Sequence, residues 1–216
     1  QNAFSRTILN RDNEITESFR KDVRGQSLGF SMERQLNNGA WVNDEGMLCM
    51  SYRGMDLPII NKKEIAIIGE HNVANYLTAI AAVWGYVGVD SIKKVAREFG
   101  GVEHRIEFVR EVGGVKYYND SIASSPTRTI AGLKAFDGNV ILIAGGYDKH
   151  IPYDVLGPHI CRHVKKLFLG GATGGQIKAT VENAPEYTPG FPEIVDCNDF
   201  TEAVYASAKA AEAGDV

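Results

Sequence analysis

The chain has 216 residues, room for one large domain or two modest ones, and 44% hydrophobic with 23% charged residues is an ordinary globular composition able to bury a core. A formal net charge of -4 argues against nucleic acid as the main partner, and no apolar run approaches the roughly 20 residues a membrane helix needs. Cys49, Cys161 and Cys197 are odd in number and widely spaced, and no signal peptide opens the sequence. Reduced thiols in a cytoplasmic protein are therefore expected, not a disulfide framework or a metal knuckle.

Residues 1 to about 24 have no clean period and read as surface or a boundary. From Gly25 to Ile68 short strands follow one another: QSLGFSM, AWVN, MLCMSY and EIAIIG. Asn37-Asn38-Gly39 and Asp44-Glu45-Gly46 lie between them as tight-turn signals, so a small antiparallel meander is expected. HNVANYLTAIAAVWGYVG then repeats Leu77, Ile80, Ala81, Trp84 and Val87 at helical spacing, with Gly88 placed to end the helix. Asp90 or Ser91 can cap a second helix whose apolar stripe is Ile92, Val95, Ala96 and Phe99.

A domain boundary is expected near Glu103 to Ile106, dividing the chain into 1–103 and 104–216. Beyond it strands at 107–118, 139–145, 164–169 and 192–196 alternate with helices at 125–136, 154–162, 174–184 and 199–213. Such alternation implies right-handed crossovers and a parallel, Rossmann-like sheet. The fold class is thus α/β: antiparallel strands with helices first, a parallel-sheet domain second. The sequence starts without Met and stops at AGDV, where a strand would ordinarily begin, so a segment of a longer protein is expected.

Chemistry is expected where strands end, because ligands of open α/β sheets bind beyond the carboxyl ends of the strands. GVKYY runs into Asn119, Asp120 and Ser121, followed by Ser125-Pro126 as helix cap and first helical residue. VILIA runs into Gly145-Gly146-Tyr147-Asp148-Lys149, where glycines admit a ligand close to the backbone and Lys149 supplies a cation. Glu70-His71-Asn72 opens a helix, an anion-binding position in which Asn72 or Asn75 could meet a base or ribose edge. His104-Arg105 sits at the boundary, and the planar guanidinium suits phosphate. Each has a plainer alternative: Asn72 as a helix cap, Arg105 in a linker ion pair, Asp120 and Ser121 organising a turn, Lys149 on a solvated surface. LGGATGGQ lacks the G-x-G-x-x-G order and reads as a loop and helix start, and no G-x-x-x-x-G-K-[ST] phosphate loop occurs.

GEHNVANYLTAIAA, VEHRIEFV, GVKYYNDSIASSPTRT and LIAGGYDKH, in that order and spacing over roughly residues 65 to 150, resemble the Mur ligases. That family has a UDP-sugar domain, a central ATPase domain and a Rossmann-like C-terminal domain. The resemblance implies that residues 1–103 are the later part of the second and 104–216 most of the third. It implies a peptidoglycan-precursor ligase of the cytoplasm that uses ATP and magnesium to activate a carboxylate as an acyl phosphate. NDS with GGYDK points to D-glutamate as the incoming amino acid and UDP-N-acetylmuramoyl-L-alanine as the acceptor.

By position, the resemblance makes Asn72 and Asn75 neighbours of the ATP base and ribose, with Arg105 and Asp120 further ATP contacts. Ser121, Ser124 and Lys149 fall in the amino-acid pocket, and His104 and Lys149 are the candidate catalytic residues. The metal ligands, phosphate loop and UDP-sugar domain would lie upstream, so this segment alone is expected to be inactive. One position departs: the residue after NDS is commonly Lys in the family, and here it is Ile122. Two other readings stand beside this one. One is a related ligase with a different acceptor, such as another Mur ligase or folylpolyglutamate synthetase. The other is a non-catalytic module that binds a nucleotide or an amino acid.

Overall fold

The structure is a computed structural model that describes Asn2 and residues 5–216. Gln1, Ala3 and Phe4, part of the stretch expected to be surface, lie outside the described residues. The chain divides into two compact units, Gln1–Gly100 and Gly101–Val216.

In the first unit five strands form one sheet in the order β1 (Arg6–Asn10), β2 (Gln26–Ser31), β3 (Gly39–Val42), β4 (Met47–Tyr52) and β5 (Met55–Asn61). The expected meander is half right. β3, β4 and β5 are antiparallel, but β1 pairs with β2 and β2 with β3 in parallel. Asn37-Asn38-Gly39 is therefore no hairpin turn, whereas Asp44-Glu45-Gly46 is one, with Gly46 at φ 77°. Two expectations fail. The first 24 residues, read as surface or a boundary for want of a clean period, hold β1 and the short helix α1 (Glu14–Ser18), and Ile8 finds Leu28 opposite it. EIAIIG is not a strand; the last strand lies earlier, at MDLPIIN. Pro58 hid it, and it is tolerated because β5 is an edge strand.

Helix α2 (Glu70–Val83) covers this sheet and buries Leu77, Ile80 and Ala81 with Leu28, Leu48, Met50 and Ile60. It ends earlier than the apolar repeat suggests. Gly85 turns away at φ 84°, and the Arg6 guanidinium takes the carbonyls of Ala82 and Trp84 at 2.8 and 2.7 Å. Gly88 instead precedes α3 (Val89–Glu98), with neither Asp90 nor Ser91 as cap. Ile92 and Ala96 of α3 are buried as expected, while Val95 and Phe99 are exposed.

The second unit holds a parallel sheet, β10 (Glu193–Asp196), β9 (Val164–Gly170) and β8 (Val140–Gly145), packed by α4 (Pro126–Leu133), α5 (Gly157–His163), α6 (Gly174–Glu182) and α7 (Phe200–Ala210). Its core is Leu133, Leu156, Ile160, Leu167, Leu169 and Val181. The stretch expected as one strand at 107–118 is a hairpin instead: β6 (Glu107–Val112) and β7 (Val115–Asn119). Gly113 and Gly114, at φ 60° and 80°, supply the two left-handed turn residues. This hairpin lies outside the parallel sheet, a second correction. Residues 214–216 run between the two, hydrogen-bonded to Gly114 and Lys116 on one side and to Asn139 and Ile141 on the other.

Candidate functional site

In the second unit the end of β7 gathers a polar cluster around residues 104–106. The chain there is contorted: His104 and Ile106 adopt φ 64° and 46°, a left-handed region unusual for any side chain and most of all for a β-branched one. Four hydrogen bonds hold them. The backbone N–H of His104 donates to Glu107 Oε2 at 2.8 Å, and its carbonyl accepts from Ile122 N at 3.2 Å. The Ile106 N–H donates to Asp120 Oδ1 at 3.0 Å, and the imidazole Nδ1 of His104 meets Asn119 Nδ2 at 2.9 Å. Between these clamped residues Arg105 is exposed, and its guanidinium makes no side-chain hydrogen bond among the described residues.

Burial pushes the Asp120 carboxyl up from its ordinary pKa, opposed by the Ile106 N–H and by the positive charges of Arg105 and Arg128. A half-buried carboxylate held against its own desolvation is a common sign of a binding group. Its other oxygen lies against α4, where a Cβ added to Gly132 would come within 2.9 Å of Oδ2. Sequence reasoning missed Gly132, which gave no signal beyond an unremarkable helical glycine.

Ser125 precedes α4 with Pro126 in its first turn, as expected, although its hydroxyl makes no capping bond. Ser121 and Ser124 are exposed, and Ile122 is 45% exposed. A recess of about 300 Å³ lies between this helix start and the loop after β8, lined by Ser125, Pro126, Thr127, Ile151, Pro152, Asp154 and Val155.

The end of β8 passes β9 glycine to glycine. Gly145, at φ 134°, lies so close to the Gly170 carbonyl that a Cβ would stand 1.7 Å from it. The loop that follows is pinned by Asp148, which accepts from the His150 N–H at 2.7 Å and from Gln176 Nε2 of α6 at 3.1 Å. Both bonds hold its carboxyl below the ordinary range. Lys149 projects from this fixed loop, exposed, and carries no hydrogen bond or ion pair among the described residues. The role of Asp148 was not read from the sequence.

In the first unit Asn72 is not the cap of α2; Gly69 takes that position. Asn72 is buried, its amide donating to the Ile68 carbonyl at 2.7 Å and its oxygen accepting from Asn75 at 3.2 Å. Asn75 is exposed, which leaves its own oxygen open as an acceptor. The pair thus divides into a buried support and an exposed contact.

The model of the Mur ligase glutamate-ligase domain matches residues 104–216, more than half of the chain. The chain belongs to the Mur ligase family. Among curated Mur ligases, the UDP-N-acetylmuramoylalanine–D-glutamate ligase of Acetivibrio thermocellus is 48% identical over the whole chain, and that of Clostridium kluyveri is 46% identical over 97% of it. The chain spans about half the length of these relatives, 47% and 44%. Solved Mur ligases share the fold. MurF from Acinetobacter baumannii superposes with a TM-score of 0.67 at 14% identity, covering 95% of this chain and 45% of that one. The murein peptide ligase of Psychrobacter arcticus gives 0.60 at 18% identity, covering 99% and 47%. No helix among the described residues is long and apolar enough to cross a membrane.

Proposed function

We propose that this chain is the later half of an ATP-dependent ligase that joins D-glutamate to UDP-N-acetylmuramoyl-L-alanine in peptidoglycan-precursor synthesis. The identity to D-glutamate ligases along its whole length carries the reading. ATP, with magnesium held by residues upstream, supplies phosphoryl transfer to the acceptor's carboxylate. The residues here bind and orient. Asn75 offers an open acceptor to the base or ribose with Asn72 as its support, and Arg105 with Asp120 meets the nucleotide. His104 and Lys149 are the catalytic candidates, the first beside ATP and the second at the side-chain carboxylate of D-glutamate, with Ser121 and Ser124 also in the amino-acid pocket. Residues 1–103 then belong to the central ATPase domain and 104–216 to the amino-acid domain.

Lys149 suits the side-chain carboxylate of D-glutamate because its ammonium is unpaired while its loop is pinned by Asp148. With Ile122 in place of a second cation, more of that recognition falls on Lys149. In the full-length protein, Lys149→Ala should raise the KM for D-glutamate by roughly 30-fold or more, the order expected for truncating one partner of a charge pair. The KM for ATP should stay within about twofold on the same separation of binding terms. Steady-state kinetics with each substrate varied tests both. Preference for another amino acid, or a defect confined to ATP, would overturn the reading.

A further inference from the structure

We propose that Asn119 is a positioning residue that fixes the tautomer of His104, keeping the imidazole proton on Nε2. The argument starts from the Asn119 amide. Its Oδ1 accepts the backbone N–H of Ser121 at 3.1 Å, and that N–H has no other partner among the described residues. Turning the amide over would set an NH2 group against that N–H, so the amide has one satisfactory orientation. The group facing His104 Nδ1 at 2.9 Å is therefore the donor Nδ2. Nδ1 must offer its lone pair, and the proton of a neutral imidazole then resides on Nε2.

The neighbouring carboxylate does not compete. Glu107 Oε2 is 3.7 Å from Nδ1 but takes the His104 backbone N–H at 2.8 Å. The clamp around residues 104–106 keeps the ring facing Asn119, and the His104 side chain is 58% exposed, so its Nε2–H is a donor available to a ligand. Such a donor suits an oxygen of a phosphate or ribose. That last step rests on the ligase reading above, whereas the tautomer does not.

Long-range proton–nitrogen NMR correlations on the nitrogen-labelled 216-residue chain at about pH 8.5, above the ordinary imidazole range, read the tautomer directly. His104→Gln identifies the His104 signals among the five histidines. The expected spectrum has Nδ1 unprotonated and Nε2 protonated in one species. A proton on Nδ1, or averaged shifts of a mixed population, overturns the proposal. Asn119→Asp keeps an acceptor for Ser121 but turns a carboxylate oxygen to Nδ1, so the proton should move to Nδ1; an unchanged pattern overturns the assignment to Asn119. In the full-length protein the same variant should raise the KM for ATP by about tenfold, the scale of one hydrogen bond to a charged group, and leave that for D-glutamate unchanged. Equal rises in both, or none, refute the positioning role. If the wild-type spectrum is as expected and the full-length protein has no ligase activity, the ligase reading falls and the tautomer stands.

Discussion

At Asp120 stability and the proposed nucleotide contact oppose each other. Because burial raises its pKa, the folded chain holds the proton more tightly than the unfolded chain does. Its contribution to stability is therefore fully present below the unfolded value near 3.9 and is lost as pH rises through the raised folded value. Asp120→Asn removes the charge yet keeps an oxygen for the Ile106 N–H, so the variant should melt higher than the parent at neutral pH. The gain should shrink to nothing below about pH 3.9, where both are neutral. Melting curves across that window check it; a variant that melts lower at pH 7 would mean the carboxylate is structural. Removing a desolvated charge from a ligand site commonly stabilises at the expense of function. NDS stood out in the sequence for its place at a strand end, but the burial that raises the pKa is a tertiary effect, with α4 at Gly132 lying against Oδ2.

At the scale of elements, the two parallel strands β8 and β9 approach as closely as they do because neither carries a side chain where they end. Gly145→Ala would force a Cβ to 1.7 Å from a backbone carbonyl and hold Ala at φ 134°, a conformation reserved for glycine. No side-chain rotation relieves a backbone collision, so the strand ends must separate. A loss of about 3 kcal/mol or more in denaturant unfolding is expected, the scale of combined overpacking and backbone strain. A variant within about 0.5 kcal/mol of the parent, the range of a neutral surface change, would refute the close approach. Displacing β8 also moves the loop that carries Lys149. Glycines here were legible as a site for close approach, expected to be to a ligand; what the structure brings close is a neighbouring strand.

For the whole molecule, the division at Gly100/Gly101 makes the intervening backbone the expected place of first cleavage. Limited proteolysis of the 216-residue chain should cut within 98–103, since His104 to Ile106 are tied down by the end of β7 while Gly100 has open space around it. Two fragments matching the units are expected. First cuts at several sites inside one unit would show that it does not hold together by itself.

The sequence by itself determined the periodic elements: α2 from its repeat of Leu77, Ile80 and Ala81, the alternation after residue 120, and the strand ends where NDS and GGYDK lie. Local pattern suffices there because the side chains that form the element also face its core. Pairing direction in the first sheet, the hairpin of β6 and β7, and the edge strand through Pro58 were decided by which segments came to lie side by side. The same holds within the site. Asn72 became a buried support, His104 and Ile106 took left-handed backbones, and Asp148 became the anchor of the Lys149 loop. Asn72 found its partners nearby, in Ile68 and Asn75, but His104, Ile106 and Asp148 also depend on Asn119, Asp120 and Gln176, which only the fold brings to them. A hydrogen bond fixes a side chain's role only once the fold has delivered the group at its other end.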